Sequence, residues 1–393
     1  MAGEAAKKST EQARQVPLAK RRFFLFNIRT GIDMSFLVLV LLLLSIGLVM
    51  LFSASYPNAL YHRGNSYVFI SNQLVFAGIG LFGMMALSTI NYHVLRKLAW
   101  PILLITVILL IAVFFFPPIN NARRWIPLPM FNIQPSEIAK FAVVVVFAQI
   151  ATKYHDKMHT FKYGVAPFVV ILTLLAGLIV FQPHLSGTIL VLAIGAVLMT
   201  VGGTNMKWFV FAAIIGVAAI LGLIMFTGRL DHALVRWESF RDPFANPRTT
   251  GFQTIQSLYA IGSGGLMGVG IGNSRQKYLY LPEPQNDFIF SIVAEELGFV
   301  GATLIILLFA LLVWRGFVIA MRCNDRFGSL MAAGLTAQVG LQTVLNVMVV
   351  TNTVPNTGVS LPFFSYGGSS LVMLLCQMGI VLSISRNAAL EKV

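Results

Sequence analysis

Charge is scarce in this 393-residue chain: Asp, Glu, Lys and Arg make up only 11% of it. A soluble domain carries roughly a quarter. With 57% hydrophobic residues and a mean hydropathy of +0.80, that shortage excludes a soluble globular enzyme and a disordered chain alike. Acids are the scarcer sign, 14 against 28 Lys and Arg. In a soluble protein a net charge of +14 would point to nucleic acid. Here the cations lie between long apolar runs, so they read as topology signals and no nucleic-acid partner is expected. Cysteine is nearly absent. Cys323 and Cys376 stand far apart, which excludes a disulfide framework. No group of His, Cys and Asp has metal-ligand spacing, so no protein-held metal is expected. The glycines at 264–270 follow no strand and are not a dinucleotide fingerprint.

What the chain has in abundance is apolar helix. A hydrocarbon core about 30 Å thick needs about 20 such residues. Runs of that kind occupy about 34–53, 68–90, 98–116, 136–152, 166–182, 186–203, 207–227, 288–314, 329–351 and 364–385. The expected fold is an all-α polytopic membrane protein with about ten transmembrane helices. The weakest break falls between Pro183 and Ser186, where a single broken helix is the alternative. Residues 1–33 carry Lys7, Lys8, Arg14, Lys20, Arg21, Arg22 and Arg29, and alternate loops add Arg96, Lys97, Lys153, Lys157, Lys162, Lys207, Arg315, Arg322 and Arg326. The opposite short loops hold only Arg63, Arg123 and Arg124. The positive-inside bias places both termini in the cytoplasm. The first 33 residues have no apolar core, so no cleavable signal peptide is expected.

The predicted organisation follows. A basic cytoplasmic arm (1–33) precedes helices 1–7 (34–227). A long extracytoplasmic loop (228–286) separates helices 7 and 8. Helices 8–10 (287–385) and a short cytoplasmic tail (386–393) complete the chain. A loop of that length in a compact protein is usually functional.

Ionisable groups inside a bilayer are costly and mark functional candidates. Glu137 and Lys140, three apart, share a helix face and can pair. Pro135 suits the first helical position, where the dipole favours the anion of Glu137. The pair is either purely structural or also shapes a polar cavity. Asp287 sits where the long loop enters the eighth span. It is either a helix N-terminal acid or, kept ionised by the dipole, a carboxylate that takes a proton from a hydroxyl. On a continuous helix Glu295 lies about 80° round from Asp287 and Glu296 about 180°. Glu295 is therefore expected in the same cavity, and Glu296 against a neighbouring helix. Arg123 and Arg124 precede Trp125 at an interface, where Trp is commonly an anchor. Paired arginines suit phosphate or pyrophosphate. His184 reads as a local hydrogen-bonder at a turn.

Several segments together resemble one family. They are Asn121-Ala-Arg-Arg-Trp-Ile126, Gln134-Pro-Ser-Glu-Ile-Ala-Lys140, Gln256-Ser-Leu-Tyr-Ala-Ile-Gly-Ser-Gly-Gly265, Leu281-Pro-Glu-Pro-Gln-Asn-Asp-Phe-Ile-Phe290, Ala294-Glu-Glu-Leu-Gly298 and Pro355-Asn-Thr-Gly-Val-Ser-Leu-Pro-Phe-Phe-Ser-Tyr-Gly-Gly-Ser369. The chain resembles the SEDS family (shape, elongation, division and sporulation) over about residues 30–385. The Gly272 to Lys277 and Ala294 to Gly298 stretches look more like its FtsW/SpoVE branch than RodA.

The resemblance implies a peptidoglycan glycosyltransferase of the bacterial cytoplasmic membrane. It would polymerise lipid II, a disaccharide-pentapeptide on undecaprenyl pyrophosphate, at the outer face during division or sporulation. The implied partners are lipid II, the nascent glycan strand, a cognate class B penicillin-binding protein and other division proteins. Asp287 matches the family's essential acid. As substrate-binding residues the resemblance and the charge pattern nominate Arg123, Arg124, Trp125, Glu137, Lys140, Arg275, Lys277, Glu295 and Ser369. Many relatives carry an acid where this chain has His184, so that acid's role does not transfer. A sugar on pyrophosphate leaves easily, so a base for the acceptor hydroxyl suffices. Positive charge must meet the departing pyrophosphate, from arginines or from a divalent cation, Mg²⁺ or Mn²⁺. A lipid II flippase without chemistry is the main alternative, and a scaffold for division proteins is a third reading.

Overall fold

The computed structural model describes residues 31–118, 123–128, 132–205, 237–249 and 251–388, with scattered positions between 207 and 222. Its helices are α1 (Met34–Arg63), α2 (Val68–Thr89), α3 (His93–Ala112), α4 (Pro135–Lys153), α5 (Ala166–Phe181), α6 (Leu185–Val201), α7 (Phe252–Gly264), α8 (Ile289–Arg322), α9 (Arg326–Val350) and α10 (Gly368–Ser385). A two-residue hairpin, β1 (Ile126–Pro127) with β2 (Asn132–Ile133), precedes α4. Among the described residues eight helices are long and apolar enough to cross a membrane. The shorter α6 makes a ninth match to the expected runs. The seventh run, 207–227, and the beginning of the long loop lie mostly outside the described residues. The protein is a multi-pass membrane protein.

The break near Pro183 is a reversal and not a kink. Gly195 of α6 faces Leu172 of α5, placing residues equidistant from the turn side by side. Two antiparallel helices result.

Local chemistry sets the helix ends. Asp33 caps α1, accepting from the Phe36 amide at 2.9 Å, and Gly64 closes it with φ +67°. Asp325 caps α9 through the Gly328 amide at 3.0 Å. The Asp33 carboxylate also meets Arg315 of α8 at 2.8 Å, and its amide donates to Ser385 of α10 at 3.1 Å. The start of α1 and the ends of α8 and α10 thus meet at one end of the bundle. α4 and α9 form its centre: α4 packs on α3, α6 and α9, and α9 packs on α8. Small residues let α2 and α10 approach closely. A Cβ on Gly379 would lie 2.4 Å from the Met84 carbonyl oxygen.

The predicted long loop is not irregular throughout. It contains α7, which packs on α8, followed by a glycine-rich turn. α8 is broken at Gly298, where φ is +68° and ψ −171°. The break frees carbonyls that the glycine-rich turn satisfies: Val269 donates to Glu295 O and Gly270 to Glu296 O, both at 3.0 Å. In return the Phe299 amide donates to Gly265 O at 2.9 Å. A Cβ on Gly268 would sit 2.1 Å from Glu296 O, so only glycine fits. Irregular backbone survives among apolar helices because its polar groups are paired within the protein.

Candidate active site

At the opposite end, where α1 and α9 finish and α4 and α10 begin, a polar cavity of about 780 Å³ opens. The hairpin delivers Arg124 and Trp125 to one wall. Pro135 at the first position of α4 starts that helix, placing Glu137 in its first turn and Lys140 one turn on. Glu137 and Lys140 pair at 2.8 Å. Lys140 then donates to Gln342 Oε1 at 3.1 Å, and Gln342 donates to the Ser360 carbonyl at 3.0 Å. This relay ties α4, α9 and the 355–367 segment into the cavity floor, with Ser369 on the α10 side.

Asp287 lies two residues before α8 rather than inside its first turn. Its backbone carbonyl accepts from buried Asn346 at 2.8 Å, and the same amide donates to Val359 O at 2.6 Å. Gly358, with φ +71°, passes so close that a Cβ there would sit 2.9 Å from Asp287 Oδ2. Burial pushes the Asp287 carboxyl above the usual range, the Arg124 charge opposes that shift, and Glu283 adds to it. Ionisation of Asp287 is therefore governed by desolvation and Arg124, which corrects the expectation that a helix dipole holds it charged.

His184 faces the same cavity and is 7% exposed. Burial, then Arg124 and Lys140, lower it to about 3, so the imidazole is neutral. Its Nε2 lies 3.4 Å from the Gln134 side-chain amide, and its buried Nδ1 has no partner among the described residues. Neighbouring Ser186 donates to the Gly358 carbonyl at 3.1 Å.

Six of the nominated residues line the cavity: Asp287, Arg124, Trp125, Glu137, Lys140 and Ser369. Four do not. Arg123 points away, exposed, and donates to Phe114 O at 3.3 Å. Arg275 is exposed, and its amide donates to Glu295 Oε1 at 2.9 Å. Glu295 also accepts from Ser274 Oγ, outside the cavity. The expected placement beside Asp287 fails because Asp287 precedes the helix, so helical angles do not extend to it. Lys277 is fully buried against Glu296 at 2.8 Å, with Ser53 of α1 bridging both at 3.1 and 2.7 Å. Tyr56 and Tyr278 cover its ammonium group, with centroids 5.2 and 5.9 Å away. Glu296 thus meets a neighbouring helix, as expected.

Sequence reasoning missed Arg63, Gln134, Ser186, Gln342 and Ser360 among the cavity residues. Gln342, a polar residue within an apolar span, carried a readable signal. Gln134 and Ser360 stand inside the segments that carry the family resemblance, and Ser186 carried no signal.

A family model described as "Cell cycle protein", for FtsW, RodA and SpoVE, matches residues 33–390. The chain is 40% identical to stage V sporulation protein E of Bacillus subtilis, over 91% of this chain and 98% of that protein. It is 37% identical to a probable peptidoglycan glycosyltransferase FtsW of Geobacter sp. strain M18, over 90% and 97% respectively. A chain from a peptidoglycan synthase complex, whose structure concerns coordination of polymerization and crosslinking, superposes with a TM-score of 0.73. The identity is 29%, covering 90% of this chain and 98% of that one. RodA of Thermus thermophilus gives a TM-score of 0.67 at 27% identity, covering 92% and 98%. Matched almost from end to end, with its motifs gathered around one cavity, this chain belongs to the FtsW/RodA/SpoVE family of cell cycle proteins.

Proposed function

We propose that the chain is a peptidoglycan glycosyltransferase that polymerises lipid II at the outer face of the bacterial cytoplasmic membrane. The observation that carries this reading is the meeting of Asp287, Arg124 and the Glu137–Lys140 pair in one cavity. In this reading both termini are cytoplasmic, following the positive-inside bias, and the cavity faces outward. Asp287 takes the proton of the acceptor 4-hydroxyl. The hydroxyl oxygen attacks the anomeric carbon of the donor, with inversion, and undecaprenyl pyrophosphate leaves with the bonding pair. Arg124 meets the developing negative charge. Lys140, held by Glu137 and Gln342, orients the sugar, with Ser369 and Trp125 on the flanking walls. Neutral His184 hydrogen-bonds without competing for the proton.

Among the described residues no group of three or more His, Cys, Asp and Glu side chains could hold a metal ion. Mg²⁺ or Mn²⁺ enters this reading only as a companion of the substrate pyrophosphate. A class B penicillin-binding protein is the proposed partner, supported by the similarity to a chain of a peptidoglycan synthase complex. A separate small pocket of about 20 Å³ lies beside Glu137 and Gln338. That is room for about one water. The enzyme reading is favoured over a flippase because the distinctive polar groups, Asp287, Arg124 and the Glu137–Lys140 pair, gather in the cavity at one end of the bundle.

The test is lipid II polymerisation in proteoliposomes with the class B partner and Mg²⁺ or Mn²⁺. Wild type should give glycan ladders and Asp287→Ala none. Ladders from both would remove Asp287 as base. No product from either, with a folded complex, would turn attention to lipid II translocation.

A further inference from the structure

Arg63 lines the cavity, yet the mechanism above leaves it unused. It ends α1, where a positive charge suits the helix dipole. That accounts for the sign of the residue but not for where its guanidinium goes. The guanidinium carbon lies 5.2 Å from the centroid of the Phe69 ring, a cation–π seat. Phe69 is itself buried and stands edge-on to Tyr366, with centroids 4.9 Å apart. Arg63, Phe69 and Tyr366 all line the cavity. Among the described residues Arg63 makes no ion pair. A cation is thus held at the cavity mouth on a packed aromatic support, with no hydrogen bond from its guanidinium among the described residues.

Besides Lys140, which is paired with Glu137, the cavity therefore has two cationic stations on different elements. Arg124 comes from the segment before the hairpin, and its field reaches Asp287 and His184, at the reacting centre. Arg63 comes from the α1–α2 connection. Beside it Leu60, Tyr61 and Tyr67 are exposed, forming an apolar and aromatic rim of the kind that sits at a membrane interface. An anion with a lipid tail would find its headgroup contact and its hydrocarbon contact side by side there.

The proposed reaction brings two pyrophosphates into the site at once, which two such stations suit. The first coupling joins two lipid-linked sugars, each with its own pyrophosphate. The donor loses its pyrophosphate as the glycosidic bond forms and the acceptor hydroxyl proton passes to Asp287. The acceptor keeps its pyrophosphate, a disaccharide away from the new bond. We propose that Arg63 binds the pyrophosphate of the acceptor lipid, while Arg124 faces the donor pyrophosphate. This assignment rests on the polymerase reading. Arg63 is then a positioning residue for substrate and takes no part in proton transfer.

The experiment compares wild type with Arg63→Ala and Arg63→Lys, in complex with the partner, across a lipid II concentration series. Charge-assisted hydrogen bonds of this kind correspond to a loss of about tenfold or more in affinity. Arg63→Ala should raise the KM for lipid II by about that factor and leave kcat within about twofold, and Arg63→Lys should recover part of the loss. Asp287→Asn, which cannot turn over, should bind two lipid II molecules, and Asp287→Asn with Arg63→Ala only one. An unchanged KM with two molecules still bound would overturn the assignment, as would a loss confined to kcat. Failure of both Asp287→Asn proteins to bind any lipid II would overturn the polymerase reading itself.

Discussion

Two Glu–Lys pairs with the same 2.8 Å separation occupy different worlds in this molecule. Glu137 and Lys140 lie on one helix and face a cavity, with the Glu137 side chain 11% exposed. Glu296 and Lys277 join a helix break to the loop before it, with both side chains fully buried. Ser53 and two tyrosine rings seal the second pair, while Gln342 and Ser360 extend the first toward open space. Identical chemistry therefore does two jobs. The sealed pair fastens the long loop to α1 and α8. The open pair organises a surface on which a substrate can be read. Solvent access, not residue type, separates them.

The contrast can be broken most sharply at Lys277. Lys277→Met leaves Glu296 charged and dry, and should cost about 3–5 kcal/mol of stability. Adding Glu296→Gln should recover most of that loss. Thermal unfolding in detergent reads both, and equal midpoints for the single and double variants would show that the pair is not sealed. At the open pair the same experiment should give a smaller effect. Glu137→Ala with Lys140 retained should be less stable than the variant with both residues neutral, by about 1–3 kcal/mol. Activity should fall in both, because the cavity floor is lost. Equal melting temperatures would count against a buried pair.

The smallest expected change is a shift in pH profile. Burial raises Asp287 and Arg124 opposes it. The base must be ionised, so kcat/KM should rise with pH through the Asp287 titration. Arg124→Gln removes the lowering charge and should move that acid limb to higher pH, besides reducing the maximal rate. His184, lowered to about 3, should add no limb near neutrality. An acid limb that stays in place in Arg124→Gln would separate Arg124 from Asp287.

Much of this was legible in the chain itself. The apolar runs anticipated α1 to α6 and α8 to α10 because a bilayer demands long apolar helices of any sequence that crosses it. Glu137 and Lys140 could be paired from spacing, since three residues on a helix bring side chains together regardless of surroundings. Glu295 could not be placed, because helical angles hold only inside an unbroken helix. Lys277 and Arg275 look alike in the sequence, and the non-helical turn that carries them buries Lys277 against Glu296 while leaving Arg275 in solvent.

Composition and local spacing thus determined the membrane class, the helices and the identity of the polar groups that a bilayer would not tolerate without reason. Only the tertiary structure decided which of those groups share a cavity. Arg63 and Asp287 are more than 200 residues apart in the chain, and Glu296 and Ser53 likewise. No local rule relates such positions. They meet because apolar helices pack until their polar residues find either one another or the same opening, and that outcome belongs to the whole bundle.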